Sequence, residues 1–225
     1  MMKDTMLNKI YQKHGTDKYE HGFGNFYDQY FSELNERKPY HKYLELGIYE
    51  GKSLSAYKEF CKDAEIFGID ILTDAVNAGY ERVPEGHFFL CNLDDEEQLN
   101  SCIRVFKTLN FKFDVILDDC SHTWKQQYTN MLKFEQLLDK DGYYILEDLH
   151  TSTYMKDSFN NLDDCELFNN EDNTKFPYIS PLRFLTLEND DIEMNQTLRD
   201  LRQRMKNVSV YYNTFEHITS VIQFS

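Results

Sequence analysis

The stretch that decides the fold runs from Tyr43 to Ser53 and reads YLELGIYEGKS. Its first half is a short apolar run typical of a buried strand, and the residues from Ser53 to Cys61 follow a helical period. Gly47 and Gly51 flank the turn between them, where glycine lets the backbone approach a ligand closely. The turn contains neither G-x-G-x-x-G nor a Walker lysine pattern, which argues against a pyrophosphate ligand. Glu45, just before the first glycine, instead suits a ligand with a positive charge, although a plain tight turn is an equally good interpretation.

The alternation of strand and helix patterns continues along the chain. Amphipathic segments at Glu96–Leu109 and Trp124–Leu138 predict two further helices. Further strands are predicted at four short apolar runs: Ile66–Ile71, His87–Cys91, Phe113–Leu117 and Tyr143–Leu146. Strands that alternate with helices form a parallel sheet, and right-handed crossovers bring the C-terminal ends of all these strands to one edge.

The C-terminal part departs from this pattern. About 45 residues after Leu149 are polar, acidic and rich in asparagine, which is typical of a functional lid or a disordered loop. A predicted helix at about Ile192–Met205 is followed by Val208–Tyr212 and Ile218–Phe224, which are too close in sequence for a parallel crossover and should form an antiparallel hairpin. We therefore predict an α/β fold, a Rossmann-like, seven-stranded, mostly parallel sheet with the last strand antiparallel and helices on both faces.

One domain accounts for all 225 residues, because a chain of this length buries a substantial core. We divide it into an N-terminal cap (1–40), a cofactor-binding core (41–148), an insertion or lid with a helix (149–206) and a C-terminal β-hairpin (207–225). No internal repeat interrupts this organisation.

Charge excludes one class of partner. Acidic residues outnumber basic ones 39 to 24, for a net charge of −15, and residues 157–193 hold ten acids against two bases. A protein that grips a phosphate backbone needs clustered lysine and arginine. The densest basic stretch, Arg199 to Lys206, reads as one solvated helix face. We therefore expect no nucleic-acid partner.

The sequence also predicts a reduced, cytoplasmic location and no membrane partner. Residues 1–11 lack the apolar core of a signal peptide, and no window approaches the ~18 apolar residues of a membrane span. The five cysteines are odd in number and show no C-x-x-C spacing, so neither a disulfide framework nor a zinc site is indicated. The pattern leaves the oligomeric state open, a homo-oligomer included.

Carboxylates follow three of the predicted strands. Asp70 lies about twenty residues past the glycine turn, where a carboxylate can accept hydrogen bonds from ribose hydroxyls, with a helix cap as the alternative. Asp118-Asp119 and Glu147-Asp148 end two strands that we expect to be neighbours. Four carboxylates so close would raise one another's pKa unless a cation is present. That cation is either a sulfonium and amino group of a ligand or a divalent metal, unless some of the four point outward or cap helices.

His122 follows the first acidic pair and lies at the start of a predicted helix. The helix dipole disfavours the protonated imidazole there, so we expect a neutral side chain suited to act as a base. A structural histidine is the alternative.

These motifs together resemble a known family. They are E-L-G-x-x-x-G-x-S at 45–53, G-I-D at 68–70, I-L-D-D-C-S-H at 116–122 and I-L-E-D at 145–148. They look like class I S-adenosylmethionine-dependent methyltransferases, and more narrowly like the sugar O-methyltransferases of macrolide tailoring (mycinamicin and macrocin type) and the related cephalosporin-hydroxylase-like group. The segment H-G-T-D-K at 14–18, with the aromatic residues that follow it, is similar to one that precedes the core in that group.

The resemblance implies S-adenosylmethionine as cofactor. Glu45, Gly47 and Asp118 would line its methionine end, Asp70 would hold the ribose, and Asn92 would lie near the adenine. The sequence departs from the family at three positions, where Tyr49 replaces a middle glycine, Asn92 a frequent aspartate and Cys120 a usual glycine.

The resemblance also implies a catalytic group. His122 would be the general base, and Asp119, Glu147 and Asp148 would supply carboxylates to a Mg²⁺ ion that orients two substrate hydroxyls. The expected reaction is methyl transfer to a hydroxyl of a sugar, either nucleotide-linked or part of a glycoconjugate. The alternatives are a catechol-like acceptor and a non-catalytic cofactor-binding protein. A nucleotide-linked sugar is itself anionic, which fits poorly with so acidic a chain.

Overall fold

The computed structural model describes residues 5–150, 180–186, 196–212 and 217–225. The strands are β1 (Lys42–Leu46), β2 (Glu65–Asp70), β3 (His87–Leu90), β4 (Phe113–Asp118), β5 (Leu138–Leu146), β6 (Met205–Tyr212) and β7 (Ile218–Phe224). The α-helices are α1 (Met6–His14), α2 (Gly24–Arg37), α3 (Lys52–Phe60), α4 (Thr73–Arg82), α5 (Glu96–Thr108), α6 (Trp124–Phe134), α7 (Pro181–Thr186) and α8 (Gln196–Arg204).

Local chemistry explains where several helices begin and end. The Asp95 side chain accepts hydrogen bonds from the first free backbone N–H groups of α5, and the Thr123 hydroxyl does the same for α6. Thr5 caps the start of α1, and Gly15 ends that helix in the left-handed conformation.

The strands form one sheet in the order β3-β2-β1-β4-β5-β7-β6. Strands β1 to β5 are parallel, and β7 is antiparallel to both β5 and β6. The predicted architecture is therefore confirmed, including the antiparallel last strand. In the register, Asp118 at the end of β4 lies between Leu46 and Leu146, so the C-terminal ends of β1, β4 and β5 are level with one another.

Helices cover both faces of this sheet, as predicted. One apolar layer includes residues of α5, α6, α7 and α8, and the other includes residues of α1, α2, α3 and α4. Sequence reasoning did not assign α1, α2 or α4. Tyr27 and Phe31 of α2 are fully buried against the sheet layer, so this segment contributes directly to the core.

Three boundaries differ from the prediction. Helix α6 ends at Phe134 and a 3₁₀ turn covers Glu135–Leu137, so β5 begins five residues before Tyr143. Strand β6 already begins at Met205, which places Lys206 on a strand rather than on the basic helix face. The division into cap, core, insertion and hairpin stays a prediction, and most of the insertion (151–179 and 187–195) lies outside the described residues.

Two further findings concern the cysteines and the apolarity of the helices. Among the described residues, Cys61, Cys91, Cys102 and Cys120 are all free thiols. In the same part of the chain no helix has the length and apolarity needed to cross a membrane.

Candidate functional site

A cavity of about 530 Å³ lies at the C-terminal edge of the parallel strands. This volume is within the range of about 300–1,000 Å³ that is usual for small-molecule sites. The wall is built from the turn after β1, the ends of β2, β3 and β4, and the segment that follows α1. The predicted site residues on it are Glu45, Gly47, Asp70, Asn92 and Asp119.

Gly47 shapes the floor of the cavity. Its φ of +94° is in the region that favours glycine. A Cβ atom at this position would collide with the carbonyl oxygen of Asp119. Glycine therefore lets the turn after β1 lie directly against the end of β4.

Asp70 is hydrogen-bonded to backbone groups on both sides of the cavity edge, and its contact with a ribose stays a prediction. One carboxylate oxygen accepts the backbone N–H groups of Ile48 (2.8 Å) and Tyr49 (3.1 Å), and the other accepts that of Leu72 (2.9 Å), just before α4. The side chain thus ties the glycine turn to the end of β2. The same carboxylate lines the cavity, where it can also accept hydroxyl groups of a ligand.

Glu45 is a buried carboxylate on the cavity wall, with 1% of its surface exposed. Tyr43 and Ser53 donate their hydroxyls to its two oxygens, at 3.2 and 2.5 Å. Burial raises the pKa of Glu45 to about 7, although Lys18 and the Ser53 hydrogen bond oppose the shift. A positive charge in the cavity would stabilise the ionised form of this buried carboxylate.

Asp118 does not line the cavity. Its carboxylate accepts hydrogen bonds from the Tyr144 hydroxyl (2.8 Å) and the Asn130 amide (3.2 Å), and burial raises its pKa to about 6. Side chains alternate between the two faces of a strand, so Asp118 points into the helix layer while Asp119 reaches the cavity. The structure thus places the Asp118 carboxylate away from the cavity in which the cofactor is expected.

Lys18 is a residue of the site whose role sequence reasoning missed. Its ammonium lies 2.7 Å from Asp119 Oδ2 and 2.5 Å from Glu147 Oε2, and its side chain is only 2% exposed. Burial alone would lower the pKa of Lys18, but the two carboxylates outweigh it and raise that pKa well above the usual value. The same ammonium helps to hold the pKa of Asp119 far below its usual range, against the effect of burial. The chain thus supplies a cation for the acidic edge itself, and the only sequence signal was the H-G-T-D-K segment.

Glu147 is fully engaged within the protein. One of its oxygens is paired with Lys18, and the other accepts the Tyr27 hydroxyl at 2.8 Å. It is not part of either group of described residues whose ligand atoms are close enough to share a metal ion. Of the three predicted metal ligands, Asp119 and Asp148 therefore fall in one such group, whereas Glu147 meets Asp119 through the ammonium of Lys18.

His122 completes that metal-competent group. Its Nε2 lies 3.2 Å from Asp119 Oδ1 and its Nδ1 lies 2.8 Å from Asp148 Oδ2, so the ring bridges the two acids. Ligand atoms of the three side chains all lie within 4.8 Å of one another. Two carboxylates and an imidazole are a donor set that a divalent cation accepts, and the carboxylates suit Mg²⁺.

The charge state of His122 differs from the prediction. Burial alone would lower its pKa, but the hydrogen bonds and charges of Asp119 and Asp148 raise the pKa to about 10. His122 has a φ of +59° and lies before the helix, whose first residue is Trp124. Two carboxylates at hydrogen-bond distance therefore outweigh the dipole of α6, which acts mainly within its first turn.

Comparison with known proteins shows that the chain is similar to methyltransferases. The chain is 25% identical over 146 residues to 8-demethyl-8-alpha-L-rhamnosyl tetracenomycin-C 2'-O-methyltransferase of Streptomyces olivaceus, which covers 62% of this chain and 36% of that protein. It is 26% identical over 155 residues to demethylmacrocin O-methyltransferase of Streptomyces fradiae, which covers 65% and 37%. The chain thus spans about a third of the length of these curated relatives. No protein-family model matches it.

Solved structures show the same fold. MycE methyltransferase from the mycinamycin biosynthetic pathway, in complex with Mg, SAH and mycinamycin VI, superposes with a TM-score of 0.69 at 18% identity, over 100% of this chain and 56% of that one. The SAH-bound methyltransferase PaMTH1 of Podospora anserina gives 0.52 at 16% identity, over 97% and 87%. The curated relatives confirm the resemblance to class I methyltransferases of the macrolide sugar type, and the solved structures confirm the fold.

Proposed function

We propose that this chain is an S-adenosylmethionine-dependent O-methyltransferase that methylates a sugar hydroxyl of a glycosylated small molecule. The observation that carries the proposal is the position of the Asp119–His122–Asp148 group. Asp119 lines the cavity and also contacts His122, so one side chain separates a methyl donor in the cavity from a histidine. One relative is by its name a 2'-O-methyltransferase of a rhamnosyl tetracenomycin, and another is a demethylmacrocin O-methyltransferase, which supports the choice of acceptor.

The cavity wall suits each part of the cofactor. The buried Glu45 carboxylate would pair with the amino group of the methionine end, and the close turn at Gly47 leaves room for the backbone to approach it. Asp70 would accept the ribose hydroxyls, and Asn92 and its neighbours would surround the adenine. Because S-adenosylmethionine is intrinsically reactive, the main work of such a site is positioning and the exclusion of water.

His122 is proposed to take the proton of the acceptor hydroxyl as the methyl group arrives. Both ring nitrogens are engaged by carboxylates in the described structure. The same two carboxylates raise the pKa of the ring to about 10, so His122 must lose a proton before it can act as a base. A divalent cation bound to Asp119 and Asp148 would lower that pKa and favour the loss. One of the two hydrogen bonds must also be exchanged for the acceptor hydroxyl. A positioned general base contributes about 10²–10⁴ in rate. Asp119 would orient the ring from the cavity side.

Asp119 and Asp148 are proposed to hold Mg²⁺. When bound, such an ion supplies Lewis-acid polarisation of an acceptor hydroxyl. Glu147 is left out of this proposal because Lys18 and Tyr27 occupy its oxygens.

The charge of the cavity favours a neutral acceptor over a nucleotide-linked sugar. Among the described residues, Lys18 and Lys52 are the lysines on its wall, and both are paired with carboxylates, Lys52 with Glu50. A diphosphate would need a cation that is free to meet it. A glycoside without phosphate needs no such cation.

Turnover assays with labelled S-adenosylmethionine would test this proposal directly. O-glycosides of polyketide-type aglycones, nucleoside diphosphate sugars and catechols are offered in parallel, and S-adenosylhomocysteine is measured. We expect turnover with the glycosides. Turnover with catechols alone would show that the acceptor is a phenol and not a sugar. Cofactor binding without any turnover would support a non-catalytic role.

Cofactor binding should weaken as the pH falls through about 7. The raised pKa of Glu45 means that its carboxyl is partly protonated in the empty cavity at neutral pH. An ammonium group favours the ionised form, so binding releases a proton, and below pH 7 the affinity should fall by up to about tenfold per pH unit. Calorimetric titration at pH 6 and pH 8, in buffers of different ionisation enthalpy, measures both effects.

Two variants sharpen this test. Glu45→Gln should bind the cofactor about 10–100-fold more weakly at pH 8, since it loses one charge-assisted hydrogen bond, and should lose the pH dependence. Glu50→Gln, an exposed position at the mouth of the same cavity, should keep both. An unchanged pH dependence in Glu45→Gln would show that another group is responsible.

Removal of divalent metal should reduce turnover. We expect EDTA to lower the rate at least about tenfold, because Lewis-acid polarisation contributes several kcal/mol in such sites, and added Mg²⁺ to restore it. Cofactor affinity, measured in the same samples, should change little, since Glu45 and Asp70 need no metal. Full activity in metal-free buffer would remove the metal from the proposal.

A further inference from the structure

A second cluster of possible ligands surrounds the other side of Asp148. His21 lies between α1 and α2, and His217 directly precedes β7. Each of these three side chains offers a ligand atom, and the three atoms lie within 4.8 Å of one another. Residues from three separate parts of the chain thus converge at the end of β5.

The two carboxylate oxygens of Asp148 contact different clusters. Its Oδ2 lies 2.8 Å from His122, whereas its Oδ1 lies 3.5 Å from Nδ1 of His217. The Nδ1 of His150 lies at the same distance, 3.5 Å, from Oδ1. The second cluster therefore has a carboxylate oxygen of its own, and it does not need the one that faces His122.

The imidazole rings are already grouped. His21 and His217 are stacked with ring centroids 3.6 Å apart and planes 19° apart, and the His150 ring lies 4.8 Å from that of His217. A zinc ion bound at about 2.0–2.1 Å holds its ligand atoms roughly 3.3 Å from one another. Because nearly parallel rings point their nitrogen lone pairs in parallel, one of the two rings must turn out of the stack for both to meet one ion.

We propose that His21, Asp148 and His217 form a second metal site, which takes a first-row transition-metal ion of the Zn²⁺ class. Two imidazoles and one carboxylate match the donor set of zinc sites with three protein ligands and of other first-row divalent ions. Mg²⁺ instead prefers a shell made of oxygens, which is what the Asp119 side of Asp148 offers. His150 is the side chain placed to supply a fourth ligand.

Such an ion would fasten the N-terminal segment to the end of the sheet. His21 and His217 are separated by almost the whole length of the chain. The ion would connect both of them to Asp148 at the end of β5. An ion that binds the folded chain better than the unfolded one raises its stability in proportion to its concentration. We therefore expect Zn²⁺ to raise the melting temperature of the metal-free protein.

The test uses the full chain freed of metal and titrated with Zn²⁺ by calorimetry and with Co²⁺ by visible absorption. We expect a d–d spectrum of Co²⁺ with nitrogen ligands. His217→Ala and His21→Asn should each weaken Zn²⁺ binding more than about tenfold, since even outer-shell changes cost 10–100-fold. His87→Ala, a half-exposed histidine at the start of β3, is the matched control and should bind as the unaltered protein does.

His122→Ala separates the two clusters. It removes a ligand of the first group only, so Zn²⁺ binding and the Co²⁺ spectrum should persist. Loss in His122→Ala together with retention in His217→Ala would place the ion at the first group and overturn the proposal. So would absence of Zn²⁺ binding by protein that is folded by circular dichroism. If His217→Ala does not fold, Zn²⁺ binding by His21→Asn tests the same cluster. The proposal does not depend on methyl transfer, because cofactor titration of the same samples reports on that site separately.

Discussion

Replacing His122 by alanine should lower methyl transfer by about 10²–10⁴-fold while S-adenosylmethionine still binds. The imidazole lies beside Asp119, which lines the cavity, and Glu45 and Asp70, the residues proposed to bind the cofactor, lie on other strands. The change should therefore act on kcat far more than on cofactor affinity. Single-turnover rates and calorimetric titration of the same variant measure the two quantities.

Chemical rescue makes the role of His122 specific. Added imidazole should restore part of the rate in His122→Ala, with a dependence on pH that follows free imidazole. His87→Ala, at the N-terminal start of the edge strand β3, should neither lose activity nor respond. Retained turnover in His122→Ala would remove this residue as the base.

Replacing Lys18 by methionine should destabilise the protein by about 3–5 kcal/mol. The ammonium is buried between Asp119 and Glu147, at 2.7 and 2.5 Å. Methionine has a similar length but carries no charge, so it leaves two carboxylates close together in a site with little access to water. The free energy of unfolding in urea, with and without the change, measures the loss.

Lys38→Met is a matched control. Lys38 also pairs with two carboxylates, Asp114 and Asp139, both at 2.8 Å, but its side chain is 43% exposed. Solvent screens such a pair, and we expect a loss below about 1 kcal/mol. Combining Lys18→Met with Glu147→Gln should recover part of the stability, because one of the two uncompensated charges is gone. Equal losses for the two lysines would contradict a special role for burial.

Much of the fold followed from the sequence because its signals are local. The apolar runs, the glycine turn after β1 and the helical periods each involve neighbouring residues, and chirality then fixes the direction of the crossovers. The antiparallel hairpin followed from a short connection alone. Helices α1, α2 and α4 escaped this reasoning, since their few buried positions acquire meaning only against a sheet face.

For the site, the sequence predicted which strands end in acidic residues. That Glu45, Gly47, Asp70 and Asn92 line one cavity follows from parallel strands whose C-terminal ends meet at the same edge. The assignments that failed or changed concern single side chains. Asp118 and Asp119 are adjacent in sequence, yet the pleat of the strand directs one into the helix layer and the other into the cavity.

The sequence by itself determined the succession of the seven strands along the chain, the place of the ligand-binding edge and the excess of negative charge there. Only the tertiary structure decided how that charge is balanced. Lys18 meets Asp119 across 101 residues of chain and Glu147 across 129, and His122 is held between two acids that its own helix position does not predict. Electrostatic energy depends on distance in space and on burial, and neither can be read from residues so far apart in sequence.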